Sequence, residues 1–209
     1  MTDDHSQGAT RFTGADVERL ESESLYQGFF SLERRHLRHR LFQGGWSRVL
    51  EREVHVRRDA VGVLLYDIER DSVVLVEQLR AGALDDPLSP WKLEPVAGLI
   101  EAGEDPAEVA RREAMEEAGC CIDELIELYS YYPSPGGSDE RVTLFCGLVD
   151  SREMGGVHGL EDEDEDIQVH VLPFARAQQL LEAGRLDNAM CLIAFLWLTR
   201  ERASLRARK

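Results

Sequence analysis

Residues 98–120 read GLIEAGEDPAEVARREAMEEAGC. No other stretch limits so sharply what this chain can fold into. Asp105 suits an N-cap, Pro106 the first helical position, and Glu108 the third position of a capping box. Gly119 is placed to end the helix in a left-handed conformation. Ala107, Ala110, Ala114 and Ala118 recur at spacings of three and four, a stripe small enough for close packing on a sheet. Glu113, Glu116 and Glu117 fall at i, i+3 and i+4, so three carboxylates crowd another face.

The crowding needs a cause. Like charges at these spacings repel by roughly 0.2–0.5 kcal/mol per pair on an isolated helix. The same residues approach the helix C-terminus, where the macrodipole disfavours anions. Arg112 can relieve part of this. A hard divalent cation relieves more, because Mg²⁺ takes carboxylate oxygens and is often shared with substrate phosphates. A solvated acidic face is the plainer reading of such a run. The full spacing argues against it.

That spacing is Gly98, five residues, Glu104, seven residues, Arg112-Glu113, then Glu116-Glu117 and Gly119. It resembles the Nudix box, GX5EX7REUXEEXGU, where U is a bulky apolar residue. The box is the signature of Mg²⁺-dependent hydrolases of nucleoside diphosphate derivatives. Every fixed Gly, Glu and Arg of the pattern is present. The departures are at U, where Ala114 is small and Cys120 only modestly bulky. They touch packing behind the site and leave the charged positions intact.

Composition excludes several partners. A length of 209 residues suits one sizeable domain with a small appendage, and buries an ordinary core without staples. A net charge of −16 argues against nonspecific nucleic-acid binding and against an anionic membrane surface. Binding an anionic phosphate then needs local arginines and metal. Cys120, Cys121, Cys146 and Cys191 show no zinc spacing and read as reduced, mostly core residues of a cytoplasmic protein. No apolar run reaches transmembrane length, and the polar, acidic start resembles no signal peptide.

Along the chain, residues 1–15 read as a mobile leader. Residues 25–42 and 49–56 read as a β-hairpin or small sheet around Gln43-Gly44-Gly45; a short helix through Leu37 and Leu41 is the alternative. Residues 60–67, 72–80, 125–132, 141–149 and 166–172 carry strand patterns, and residues 91–100 form a strand and loop leading into the box. Helices are expected over residues 173–183 and 188–207. Ser134-Pro135-Gly136-Gly137 reads as a rigid loop with exposed amides. Residues 155–166 form a glycine-hinged acidic loop. Asp162, Asp164 and Asp166 imitate the start of a calcium loop, but Ile167 stands where its glycine belongs. A charge run in solvent, or a mobile loop carrying a carboxylate to the metal, remain the two readings there.

The resemblance extends over the whole length to the ADP-ribose pyrophosphatase branch of the family, through LYQGFFSLE, RHRLFQG, VLVEQLR, LEPVAGLIEAGE, SPGGSDER, GVHGLEDEDEDI and RLDNAMCLIAFLWL. Pro135, about sixteen residues beyond the box, is a marker of that branch. The resemblance implies an α/β fold: a Nudix α/β/α sandwich around a mixed sheet over residues 58–209, plus a small N-terminal β-sheet domain for dimerisation over residues 1–57. It implies a homodimer whose sites are shared between subunits, with ADP-ribose as substrate and Mg²⁺ as cofactor, Mn²⁺ substituting. Metal ligation falls to Glu113, Glu117, the Ala97 carbonyl, Glu116 and Glu165, and the general base is Glu163. Arg112 orients the glutamates, while Gly98 and Glu104 support the box. Arg80 and Arg52 bind phosphates or neighbouring oxygens; Phe29, Phe30, Arg57 and Glu53 hold adenine. Ser134, Pro135, Gly136 and Glu140 shape the terminal ribose pocket, with Leu99 beside the substrate. Other nucleoside diphosphate sugars, GDP-mannose or ADP-glucose, fit the same carboxylates. A noncatalytic ADP-ribose sensor is expected to lose box glutamates, and none is lost here.

Overall fold

A computed structural model describes residues 11–160 and 164–208. The chain forms two compact units. One draws on Met1–Arg57 and Ser134–Asp139, the other on Arg58–Pro133 and Glu140–Lys209.

The first unit is a three-stranded antiparallel sheet of β1 (Val17–Gln27), β2 (Ser31–His39) and β3 (Leu50–Val56), in that order. The expected small sheet is present, but it begins eight residues earlier than residue 25, since β1 starts at Val17. Its sequence VERLESESLYQ is polar on both faces and mostly exposed, so it carries no burial pattern of its own. Cross-strand charge pairs replace that signal: Arg34 bonds Glu23 at 3.0 Å, and Arg38 pairs with Glu18. The helical alternative fails because Leu37 sits in β2 opposite Leu50, and Leu41 lies beyond the strand. The loop over residues 134–139 joins this unit through His55 N–H to Gly137 O at 2.8 Å and Arg57 N–H to Asp139 Oδ1 at 3.0 Å. Asp139 also takes a 2.8 Å bond from Arg35.

The second unit is built on an eight-stranded mixed sheet. Its main path runs β10 (Gly156–His158), β11 (Ile167–Pro173), β5 (Ser72–Leu79), β4 (Ala60–Asp67), β9 (Val142–Leu148) and β8 (Glu124–Tyr131). β6 (Trp91–Glu94) adds to β5, and β7 (Val96–Leu99) adds to β4. Among the described strands of this sheet, β4 and β9 run parallel and the other pairs are antiparallel. β4 is apolar at nearly every position because both its faces are covered. Val61, Val63 and Leu65 pack toward helix α1 (Pro106–Ala118), in one core with Val109, Ala110, Ala114 and Ala118. Leu64 and Tyr66 pack the other way, with residues of α2 (Phe174–Glu182) and α3 (Ala189–Arg206). Helices thus cover both faces, the expected α/β/α sandwich. α3 is tied to the β4–β5 turn by Arg202 Nε on Asp71 Oδ1 at 2.6 Å, and Asp71 also accepts from Tyr66 Oη at 2.8 Å.

The expected single strand before the box is two. Pro95 separates β6 from β7, because it has no N–H to give a ladder. The acidic loop also starts in the sheet, since Gly156–His158 pairs with β11 before Gly159 turns the chain at φ 107°.

Candidate active site

Helix α1 begins and ends where the sequence predicts, but without the return bond from Glu108 that a capping box requires. Asp105 Oδ1 accepts from the amides of Ala107 (2.8 Å) and Glu108 (3.3 Å), so both cap bonds are Asp105's own. Pro106 opens the helix, and Gly119 closes it at φ 63°, donating to Ala114 and Met115 carbonyls. Ala110, Ala114 and Ala118 are buried on the sheet, and Ala107 packs at the edge of the same core. That contact lets β7 run close beside the helix. At Gly98 on β7, an added Cβ would fall well inside 3.0 Å of Glu113 Oε1, Cδ and Cγ. The box therefore needs glycine there to make room for the carboxylate.

Glu117 is the most buried of the box glutamates, at 3% exposure. Its Oε2 accepts from the Ala97 amide at 3.0 Å, which pins the helix to β7. Burial pushes its pKa up to about 8; the Ala97 hydrogen bond opposes this, and the charges of Glu113 and Glu165 add to it. Arg80 lies close enough to pull the other way. Glu113, Glu165, Arg80 and the Ala97 amide are thus the groups whose charge or hydrogen bond acts on the buried Glu117 carboxylate.

Arg112 holds two of the expected ligands, Glu113 Oε1 at 2.9 Å and Glu116 Oε2 at 3.1 Å. Glu104 accepts from the Glu101 amide at 2.7 Å, closing the turn before the helix. Glu165 Oε2 accepts from the Leu160 amide at 3.2 Å across the base of the acidic loop. Among the described residues, no three His, Cys, Asp or Glu side chains already converge as a metal cage. The donor chemistry nonetheless fits a hard divalent cation. The charges of Glu113 and Glu165 disfavour the ionised form of buried Glu117, and a cation would reverse that penalty.

The remaining site residues divide between the units. In the second unit Arg80 follows β5, Leu99 ends β7 half-buried, and Glu140 precedes β9. In the first unit Phe29 and Phe30 occupy the β1–β2 turn, with rings 4.7 Å apart edge to face. Phe29 is 75% exposed, so the pair is not buried core. The Arg57 guanidinium lies 4.6 Å from the Phe30 ring centroid. Glu53 faces Arg34 at 3.9 Å, and Arg52 donates to Glu51 O at 2.7 Å. Ser134 O accepts from the amides of Gly137 and Ser138 at 3.1 and 2.9 Å. Arg52, Pro135 and Gly136 line a cavity of about 880 Å³ within this unit. Glu163 lies outside the described residues. Sequence reasoning passed over Glu94, which is 6% exposed and bonded to Arg80. Its one signal was its place in LEPVAG, just before the box.

Residues 56–192 match the NUDIX domain. The chain belongs to the Nudix family. It is 47% identical over 191 residues to the ADP-ribose pyrophosphatase of Escherichia coli (strain K12), covering 91% of each chain. It is 45% identical over 198 residues to the ADP-ribose pyrophosphatase of Haemophilus influenzae, covering 93% of this chain and 91% of that one. A GDP-mannose pyrophosphatase of Enterobacter sp. is 34% identical over 150 residues, covering 71% of this chain and 77% of that one. A crystal structure described as an ADP compounds hydrolase shares the fold at TM-score 0.65 and 23% identity, over 93% of this chain and 97% of that one. No helix among the described residues is long and apolar enough to cross a membrane.

Proposed function

We propose that this chain hydrolyses the pyrophosphate bond of ADP-ribose, giving AMP and ribose 5-phosphate. The observation that carries the reading is buried Glu117, bonded to the Ala97 amide and acted on by the charges of Glu113 and Glu165, in a chain that keeps every glutamate of the box. Its near-full-length likeness to proteins named ADP-ribose pyrophosphatase directs the choice of substrate. GDP-mannose and ADP-glucose are the competing substrates.

Glu113, Glu117 and the Ala97 carbonyl, with Glu116 and Glu165, would hold Mg²⁺, or Mn²⁺ in its place. The bound metal supplies charge neutralisation at the diphosphate and a lowered pKa for bound water. Arg112 keeps Glu113 and Glu116 turned toward one another. Arg80 and Arg52 bind phosphate oxygens. Phe29 and Phe30 stack on adenine, with Arg57 and Glu53 beside it. Ser134, Pro135, Gly136 and Glu140 shape the terminal ribose pocket, and Leu99 packs against the substrate. Glu163 takes the proton from the attacking water, a role worth about 10²–10⁴-fold. We read the first unit as a dimerisation domain. Exposed Leu20, Tyr26, Phe42 and Val49 support this, since they leave apolar surface for a second copy to cover. The dimer would share its sites between subunits, in the cytoplasm where the cysteines stay reduced.

Hydrolysis of ADP-ribose, GDP-mannose and ADP-glucose in H₂¹⁸O with Mg²⁺, followed by mass spectrometry, tests the reading. AMP and ribose 5-phosphate appearing fastest from ADP-ribose support it, and the labelled product names the attacked phosphorus. Faster turnover of another sugar nucleotide would keep the metal chemistry and discard the substrate.

A further inference from the structure

We infer that Glu94 and Asn188 are positioning residues that set the Arg80 guanidinium before substrate arrives. The inference rests on the proposed role of Arg80 at the phosphates.

Glu94 ends β6 with its side chain only 8% exposed. A carboxylate so buried needs partners for both oxygens. Oε2 accepts from Arg80 Nε at 2.6 Å, and Oε1 accepts from Asn188 Nδ2 at 3.3 Å. Asn188 is in turn oriented by the backbone. Its Oδ1 accepts from the Cys191 amide at 2.9 Å as the N-cap of α3, which leaves only Nδ2 to face Glu94. The same Nδ2 lies 3.4 Å from Leu93 O. A helix end therefore fixes an amide, the amide fixes a carboxylate, and the carboxylate fixes an arginine.

Arginine is well suited to the end of such a chain. The bond to Glu94 uses Nε alone, so both Nη groups stand outside it. The Arg80 side chain is 41% exposed and its charge acts on Glu117. Its planar fork can meet two phosphate oxygens at once, provided its plane is held. A side chain already restricted in rotamer loses less freedom on binding.

Steady-state kinetics with ADP-ribose at saturating Mg²⁺, with a thermal melt of every variant, test the inference. Glu94→Leu removes both acceptors and is expected to raise KM about 10–10²-fold. Glu94→Gln keeps one acceptor and is expected to recover much of that loss. Asn188→Ser keeps a capping oxygen but loses the donor to Glu94, and is expected to raise KM about threefold. In an Arg80→Ala background each of these changes should shrink below about twofold, since the group they act through is gone. An undiminished effect in that background would overturn the inference, as would wild-type KM for Glu94→Leu beside an impaired Arg80→Ala. Should Glu94→Leu not fold, Asn188→Ser in the two backgrounds decides the matter. Wild-type kinetics for Arg80→Ala itself would instead remove its phosphate role, a separate failure.

Discussion

Gly98→Ala separates the geometry of the carboxylate site from the stability of the fold. Gly98 lies in β7 and is not among the residues with positive φ, so alanine suits its backbone. Relief of glycine's backbone entropy favours the variant by roughly 0.5–1 kcal/mol in a strand. The new methyl, however, would overlap Glu113 Oε1, Cδ and Cγ. Carbon contacts settle near 3.5–4.0 Å, so the Glu113 side chain must move by about 1 Å or more. It can do so by rotating outward, because its side chain retains 13% exposure. Misplacing a group in the reacting constellation by about 1 Å can cost about 10²-fold in rate. The expected result is a melting temperature equal to or slightly above wild type, with kcat for ADP-ribose lowered about 10²-fold. Gly14→Ala, where an added Cβ meets nothing within 4 Å, is the control and should match wild type. Wild-type kcat in folded Gly98→Ala would refute the placement of Glu113 in the metal site.

Three further outcomes are expected. In metal-free protein Glu117 favours the folded state fully below its ordinary pKa of 4.5, and that contribution is lost as pH rises toward about 8. Glu117→Gln should therefore abolish turnover yet raise the melting temperature in chelator at pH 8–9, reflecting a stability gain of about 5 kcal/mol at most from the linkage; parallel melts from pH 5 to 9 would refute this. Arg202, first among its partners, holds Asp71 below the usual carboxylate value of 3.8, so the pair stabilises above that value and fails as pH falls through the lowered pKa. Arg202→Met should cost about 1 kcal/mol at pH 7, discounted for partial exposure, and flatten the acid limb of a urea-melt pH series; an unchanged limb would count against the pair. Glu163→Gln should lower kcat heavily with little change in KM, and unchanged rates would move the base elsewhere on the acidic loop.

Where a segment's own composition decides its state, sequence reasoning reached the fold. β4 and β5 are apolar runs covered on both faces, and α1 carries its cap, its alanine stripe and its terminal glycine in one stretch. Where a partner decides, it did not. β1 is a strand because Arg34 and Arg38 lie opposite Glu23 and Glu18, a fact that polar alternation alone does not reveal. Phe29 and Phe30 fall inside the strand-patterned run of residues 25–42, yet they ride on the turn between β1 and β2. Glu94 was missed for the same reason, since its partners stand 14 and 94 residues away. The box was legible as a spacing, but the burial that separates Glu117 from Glu116 was not.

That difference in burial explains how the fold tolerates its carboxylates. Repulsion among Glu113, Glu116 and Glu117 costs an isolated helix only a few tenths of a kcal/mol per pair, whereas the Asp105 cap alone offers about 1 kcal/mol. The larger penalty is desolvation at Glu117, and helix propensity does not answer it. Packing does. Ala110, Ala114 and Ala118 hold α1 against β4 and β7, so the helix has no cheap way to turn Glu117 out to water. The Ala97 amide stabilises the ionised form only in part. Arg112 satisfies the two outer glutamates and leaves the inner one to its neighbours' repulsion. A small, rigid alanine face thus holds a destabilised carboxylate where a divalent cation would find it already stripped of water. Replacing that face by bulkier residues would lift the helix from β7 and relax the cluster before it touched any ligand.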